Sequence, residues 1–260
     1  MNLCQPDSSK SCAACCGIYN VLDGRKEVLN DSILNRTRMF KNIPRDVDSL
    51  VAYAKKVKAD FDLRPLDPEI HVCEYVGFTN DKFSTVGCML HPYAQGNDGI
   101  DFRGLCYYGS VACKTFYCPA TTDSDFRARQ IVEKLVRDWH LYGLVATDVN
   151  YVSAFLSLIE LSLGHKVDVK VILRPDIAAF FKRAIKWKES WPYGADSKTR
   201  RSCYYRKPEP LDQCEDTLIT RMLDSLCFTF DIPHLPYVCA SLIRKEVEAI
   251  VRVYQQVYIV

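Results

Sequence analysis

The stretch Cys4-Gln-Pro-Asp-Ser-Ser-Lys-Ser-Cys12-Ala-Ala-Cys15-Cys16-Gly17 constrains this chain more than any other, and it is answered downstream by Gly87-Cys88-Met-Leu-His91-Pro92 and by Cys106, Cys113 and Cys118. Soft thiolates at short spacing in separated segments can close on Zn²⁺ or an iron–sulfur cluster. Each metal–sulfur bond then ties down chain that carries too few apolar residues to pack by itself. The pattern is therefore that of a metal site.

Compartment decides whether disulfides compete with that reading. The first residues have neither a basic region nor an apolar run of the secretory kind. The longest apolar stretch, Tyr151 to Gly164, contains Glu160 and is too short to span a bilayer. The expectation is a cytoplasmic protein without a membrane partner. In a reducing compartment, 13 cysteines, an odd number, point to metal ligation or thiol redox chemistry before a disulfide framework. Nine of them, Cys4, Cys12, Cys15, Cys16, Cys73, Cys88, Cys106, Cys113 and Cys118, lie in the first half. This asymmetry suggests a cysteine-rich module over 1–121 followed by a helical domain over 122–260. With 48% hydrophobic residues the 260-residue chain can bury a sizeable core, and a net charge of +2 gives no global field for nucleic acid or anionic membrane.

Hydrophobic periodicity supplies the fold class. A short helix is expected over Glu27 to Lys41, with Asn30 or Asp31 as N-cap, and another behind Asp46 or Asp48, where Leu50, Val51, Ala54, Val57 and Phe61 recur at helical spacing. His71 to Phe78 and Lys82 to Leu90 are rich in β-branched and aromatic residues around Thr79-Asn80-Asp81, which predicts a β-hairpin whose returning strand delivers Cys88. Tyr93 to Gly104 reads as loop. Beyond Thr122, Ile131, Val132, Leu135, Val136 and Trp139 form one apolar stripe, and Val152, Phe155, Leu156, Ile159 and Leu163 form a second behind Asp148. The two stripes should pair. Lys166 to Leu173 alternates Val167, Val169 and Val171 with charged residues, as a short strand or extended chain would. Pro175 suits the first position of the next helix. Leu218, Met222, Leu223, Leu226 and Phe230 mark another, and Ile243 to Tyr258 the last. The class is mainly α with a small β-hairpin: an N-terminal cysteine-rich metal-binding module packed on a helical C-terminal domain.

Cys12-Ala-Ala-Cys15-Cys16-Gly17, Gly87-Cys88-Met-Leu-His91-Pro92 and Cys106 with Cys113 together resemble the zinc/iron-chelating cysteine-cluster (YkgJ-like) family of bacterial proteins. The resemblance covers roughly residues 4 to 119. It implies eight ligands: Cys4, Cys12, Cys15, Cys16, Cys88, Cys106, Cys113 and Cys118. Seven residues separate Cys4 from Cys12, and Val111-Ala112 stands where the family usually has Arg-Pro. Two tetrahedral zinc sites would use all eight thiolates, whereas one [4Fe–4S] cluster would use four. Cys15 and Cys16, adjacent and so diverging, are expected to serve different metals or roles. His91 either replaces one thiolate or only orients its loop. Cys73 and Cys227 read as packing residues, and Cys203 with Cys214 as a weak second pair.

Lys182, Arg183, Lys186, Lys188, Lys198, Arg200, Arg201, Arg206 and Lys207 form a basic stretch interleaved with Trp187, Trp191, Tyr193, Tyr204 and Tyr205. Single-stranded nucleic acid or an acidic partner could use such a stretch, above all Arg200, Arg201, Arg206 and Lys207, but a solvated face is the plainer reading. The Gly-rich nucleotide motifs, the zinc-protease His-Glu-x-x-His and the hydrolase Gly-x-Ser-x-Gly are missing. The leading expectation is a metal-binding protein, its zinc or iron–sulfur centre mainly structural. Whether it is an enzyme stays open. The resemblance also permits an iron–sulfur-dependent protein-modifying enzyme similar to flagellin lysine methylase, and the Cys15-Cys16 pair permits a thiol-redox role.

Overall fold

Leu29, Ile33, Arg36 and Phe40 recur every three to four residues and are all buried, and they set the inner face of the first helix, α1 (Lys26–Lys41). The computed structural model describes residues 3–60, 62–122, 125–193, 214–226 and 235–258. These form a mainly helical protein with one two-stranded antiparallel sheet. They divide into two units, the first drawn from Met1–Cys118 and Asp138–Leu144, the second from Pro119–Arg137, Val145–Ser197 and Tyr205–Val260.

In the first unit α1 starts a turn earlier than its expected caps Asn30 and Asp31, because Leu29 is already part of the buried stripe. α2 (Val47–Asp60) follows with Leu50, Tyr53 and Val57 inward, and Asp46 is the residue that caps it, accepting the Ser49 amide at 2.8 Å. The predicted hairpin forms as β1 (Val76–Phe78) and β2 (Val86–Cys88), shorter than the apolar runs, in the register Val76 to Cys88, Gly77 to Gly87 and Phe78 to Val86. Asn80 closes its loop by accepting the Ser84 amide at 3.0 Å. α3 (Gly109–Thr115), beyond the expected loop, carries Cys113, and none of its residues is buried. α1 lies between two cores. Leu29 and Ile33 pack with Ile18, Tyr19, Val76, Phe78 and Trp139, whereas Phe40 packs with Leu50, Tyr53, Tyr75 and Leu90.

The chain continues through α4 (Pro119–Thr122), α5 (Phe126–Leu135) and α6 (Trp139–Ala146). The stripe read as running from Ile131 to Trp139 is thus split. Val136 is extended, and the Asp138 carboxylate accepts the amides of His140 and Leu141, both at 3.1 Å, which starts a new helix at Trp139. α7 (Val149–Leu163) is the central helix of the second unit, buried without interruption from Tyr151 to Glu160 and packed on α5 as the two stripes predict. Its cap Asp148 accepts the Tyr151 amide and an ion pair from buried Lys188 at 2.8 Å.

Lys166 to Leu173 is not a strand: α8 (Val169–Ile172) is a single helical turn, capped by Asp168 accepting the Lys170 amide at 2.8 Å. α9 (Pro175–Ser190) begins on Pro175, and α10 (Glu215–Leu226) and α11 (Leu235–Tyr258) complete the packing around α7. No single helix among the described residues is long and apolar enough to cross a membrane. Phe61, Phe230, Cys203, Cys227 and the basic residues Lys198, Arg200, Arg201, Arg206 and Lys207 lie outside the described residues.

Candidate metal centre

Short-range backbone contacts bring the cysteine segments of the first unit together. The loop between Cys4 and Cys12 doubles back through an antiparallel bridge from Asp7 to Lys10, and the Cys12 amide donates to the Cys4 carbonyl at 2.8 Å. The seven-residue spacing is thereby closed. Ser11 docks this loop on β2: its hydroxyl donates to the Val86 carbonyl and accepts the Val86 amide, both at 2.6 Å. Cys15 and Cys16 end a 3-10 turn (Ala14–Cys16), and Gly17, at φ 78°, redirects the chain. The Cys73 amide then donates to the Cys16 carbonyl at 2.9 Å.

The nine cysteines of this region fall into two groups. Cys4 and Cys12 each lie within electrostatic reach of Cys15 and Cys118, which makes an outer group of four. Cys16 is within reach of Cys73 and Cys88, Cys73 of Cys88 and Cys106, and Cys113 of Cys106 and Cys88. That inner group has five members. Cys106 and Cys113 bring their sulfurs to 3.2 Å, too far apart for a disulfide bond and close to the roughly 3.8 Å at which two thiolates share one tetrahedral Zn²⁺. Cys15 joins the two groups: it lies within electrostatic reach of Cys16, Cys88 and Cys113 as well as of Cys4 and Cys12.

Crowding sets the electrostatics. Burial, followed by the neighbouring Cys15 and Cys118, pushes the Cys4 thiol up to about 11; burial does the same to Cys88, with Cys106 adding to it. Cys113 is pushed up to about 12 by burial and then by Cys106. The Cys16 thiol donates to Cys15, which holds Cys15 below its ordinary value and Cys16 well above. Two kinds of group offset the cost of thiolates here. A backbone amide points at sulfur, from Ala14 to Cys12 at 3.5 Å. Arg103 stands within reach of Cys88 and Cys113 and is fixed by Asp101 at 2.8 Å, which also binds Lys114 at 2.8 Å.

Soft sulfur donors and a nearby cation suit thiolate ligation, but among the described residues no three of the cysteine sulfurs lie within 4.8 Å of one another, so the thiols are not drawn together as a closed tetrahedral site. All eight predicted ligands are in the two groups. His91 is different: its Nδ1 accepts the Tyr93 amide at 3.2 Å, and its charged neighbours are Arg103 and Asp101. Cys73, read from sequence as packing, stands in the inner group. Its position between two ligand segments was the available signal. No family model matches the chain, and no curated protein and no solved structure matches it either.

Proposed function

We propose that this chain is a metal-binding cysteine-cluster protein of the zinc/iron-chelating (YkgJ-like) kind, in which the cysteine-rich first half holds two thiolate-bound metals whose role is mainly structural. The observation that supports this reading is the convergence of cysteines from separated segments of the first unit, with the Cys106 and Cys113 sulfurs 3.2 Å apart and Cys15 within reach of both groups. Each group offers at least the four thiolates that a tetrahedral Zn²⁺ takes.

Zn²⁺ is the favoured metal, because the close Cys106 and Cys113 sulfurs suit ligation to one ion. In a [4Fe–4S] cluster each cysteine binds a separate corner iron, which spreads the sulfurs further. Bound metal would supply cross-links and neutralise thiolate charge. Cys12, Cys16, Cys73, Cys88 and Cys106 meanwhile pack into the two cores of the first unit, so metal and apolar packing stabilise the same residues. A thiolate centre of this kind fits a reducing compartment, and we place the protein in the cytoplasm.

Anaerobic purification followed by an absorption spectrum and elemental analysis tests the proposal. A colourless protein with about two zinc ions per chain is expected. A brown protein with visible absorption would replace zinc by iron–sulfur. A chain that takes up neither metal, with every thiol open to alkylation, would overturn the reading.

A further inference from the structure

Cys106 and Cys113 bring their sulfurs to 3.2 Å, and among the described residues no third cysteine, histidine or carboxylate ligand atom lies within 4.8 Å of both. The contact is thus one between two sulfurs. Bonding them needs a closure of about 1 Å, to the roughly 2.05 Å of a disulfide. We infer that Cys106 and Cys113 are a dithiol modification site, closed into a disulfide by exchange with a small-molecule disulfide.

Local structure holds the pair together and leaves one member able to move. Cys106 follows the 3-10 turn Arg103–Leu105, and the Gly109 amide donates to its carbonyl at 3.1 Å. Gly109, at φ 75°, then redirects the chain into α3, which carries Cys113 back to Cys106. Asp101 clamps both ends of this loop: it takes Arg103 and Lys114, each at 2.8 Å, and Arg103 Nη1 donates to the Cys113 carbonyl at 3.4 Å. Cys106 is 8% exposed and packs with Phe40, Tyr53 and Leu90, whereas Cys113 is exposed on a helix with no buried residue. An approaching disulfide therefore meets Cys113 first, and α3 can close on Cys106 without pulling a side chain from the core.

The Cys113 thiolate attacks the small disulfide R–S–S–R, whose S–S bond breaks as Cys113–S–S–R forms and RS⁻ leaves. Cys106 then attacks the Cys113 sulfur. The mixed disulfide breaks, the Cys106–Cys113 bond forms and a second RS⁻ leaves. The two thiol protons end on the two RS⁻ groups, and two electrons pass from the protein to the small disulfide. Although the Cys113 residue is exposed, its sulfur faces Cys106, so partial burial and then Cys106 itself push the thiol up to about 12. That slows the first attack, but it also makes Cys113 a poor leaving group, so the closed disulfide persists.

The inference does not rest on the metal-binding reading, which elemental analysis tests separately. The full chain is equilibrated anaerobically in mixtures of reduced and oxidised glutathione, free thiols are blocked with iodoacetamide, and tryptic peptides are identified by mass. Cleavage after Arg103 and Lys114 releases 104–114, whose only cysteines are Cys106 and Cys113. The expected product is this peptide unalkylated and lighter than its dithiol by a pair of hydrogens, returned to the doubly alkylated form by dithiothreitol. Its closure constant in the folded chain should exceed that of the same chain in guanidinium chloride by at least about tenfold, since unfolding leaves only random loop closure to bring the thiols together. Cys106→Ser should trap Cys113 as a mixed disulfide with glutathione. Double alkylation of the peptide at every glutathione ratio, equal closure constants in the folded and unfolded chain, or a disulfide from Cys113 to another cysteine of the folded chain would each overturn the proposal.

Discussion

Gly17 carries more of the site than its size suggests. Its φ of 78° lies in the left-handed region, its amide closes the 3-10 turn on Ala14 at 2.9 Å, and a Cβ there would stand 2.2 Å from the His71 carbonyl oxygen. That carbonyl is backbone and cannot swing away. Gly17→Ala must therefore push the Cys15-Cys16 turn off the segment that leads to Cys73. A loss of roughly 2 kcal/mol or more is expected in denaturant unfolding of the metal-loaded protein, together with weaker zinc retention. Unchanged unfolding midpoint and zinc content would contradict the close packing of these two segments. That separated cysteines would be brought together was legible in part from spacing, as the contacts of Cys4 with Cys12 and of Cys106 with Cys113 show. The place of Cys73 was not. A cysteine within an apolar, strand-like run has the same sequence pattern whether it packs or ligates, and only the fold brings it to Cys16.

Elements with strong periodicity were the legible ones, and those ruled by capping chemistry were not. α1, α2, α7, α9 and α11 follow from their apolar stripes, and Asp148 and Pro175 act where the sequence puts them. α8 was misread because Val167, Val169 and Val171 alternate, yet only Val167 of the three is buried, and Asp168 turns the segment into helix. Glu160 orders the approach to that turn. Near the end of α7 it takes Arg127 of α5, Lys166 at 2.8 Å and the Val167 amide at 3.0 Å. Burial raises the Glu160 carboxyl, but these three partners outweigh it and leave it below its ordinary value of 4.5. A depressed folded value means that the stabilisation is fully present above about 4.5 and is lost as the pH falls through the folded value. Glu160→Gln should cost about 2 kcal/mol at neutral pH, and the gap from wild type in urea unfolding should close in acid. A gap that stays constant through that acid range would show that the charge of Glu160 is not what holds the segment.

At the scale of the molecule, the two units rest on different physics. The second surrounds α7 with α5, α10 and α11, and the long helix α7 is buried through most of its length. Apolar packing of that kind needs no metal. The first divides its apolar residues between two cores with cysteines packed at them, so that, on the metal-binding reading proposed above, losing metal would leave crowded thiols beside these cores. Chelation should then unfold the first unit and spare the second. The chain carries three tryptophans suited to separate them. Trp139 packs edge-on against Phe78 at 6.0 Å in the first unit, whereas Trp187 and Trp191 meet at 5.2 Å in the second. Trp191 is a convenient site for replacement, since its Nε1 is buried with no hydrogen-bond partner among the described residues and phenylalanine forfeits no bond. In the Trp187→Phe, Trp191→Phe double variant, strong chelator should shift Trp139 emission to the red as Phe78 releases it. In Trp139→Phe, the remaining emission should hold. The opposite pattern, or no shift in either variant after elemental analysis confirms metal removal, would mean that the first unit stands on its apolar cores and that the metal has a role other than holding it together.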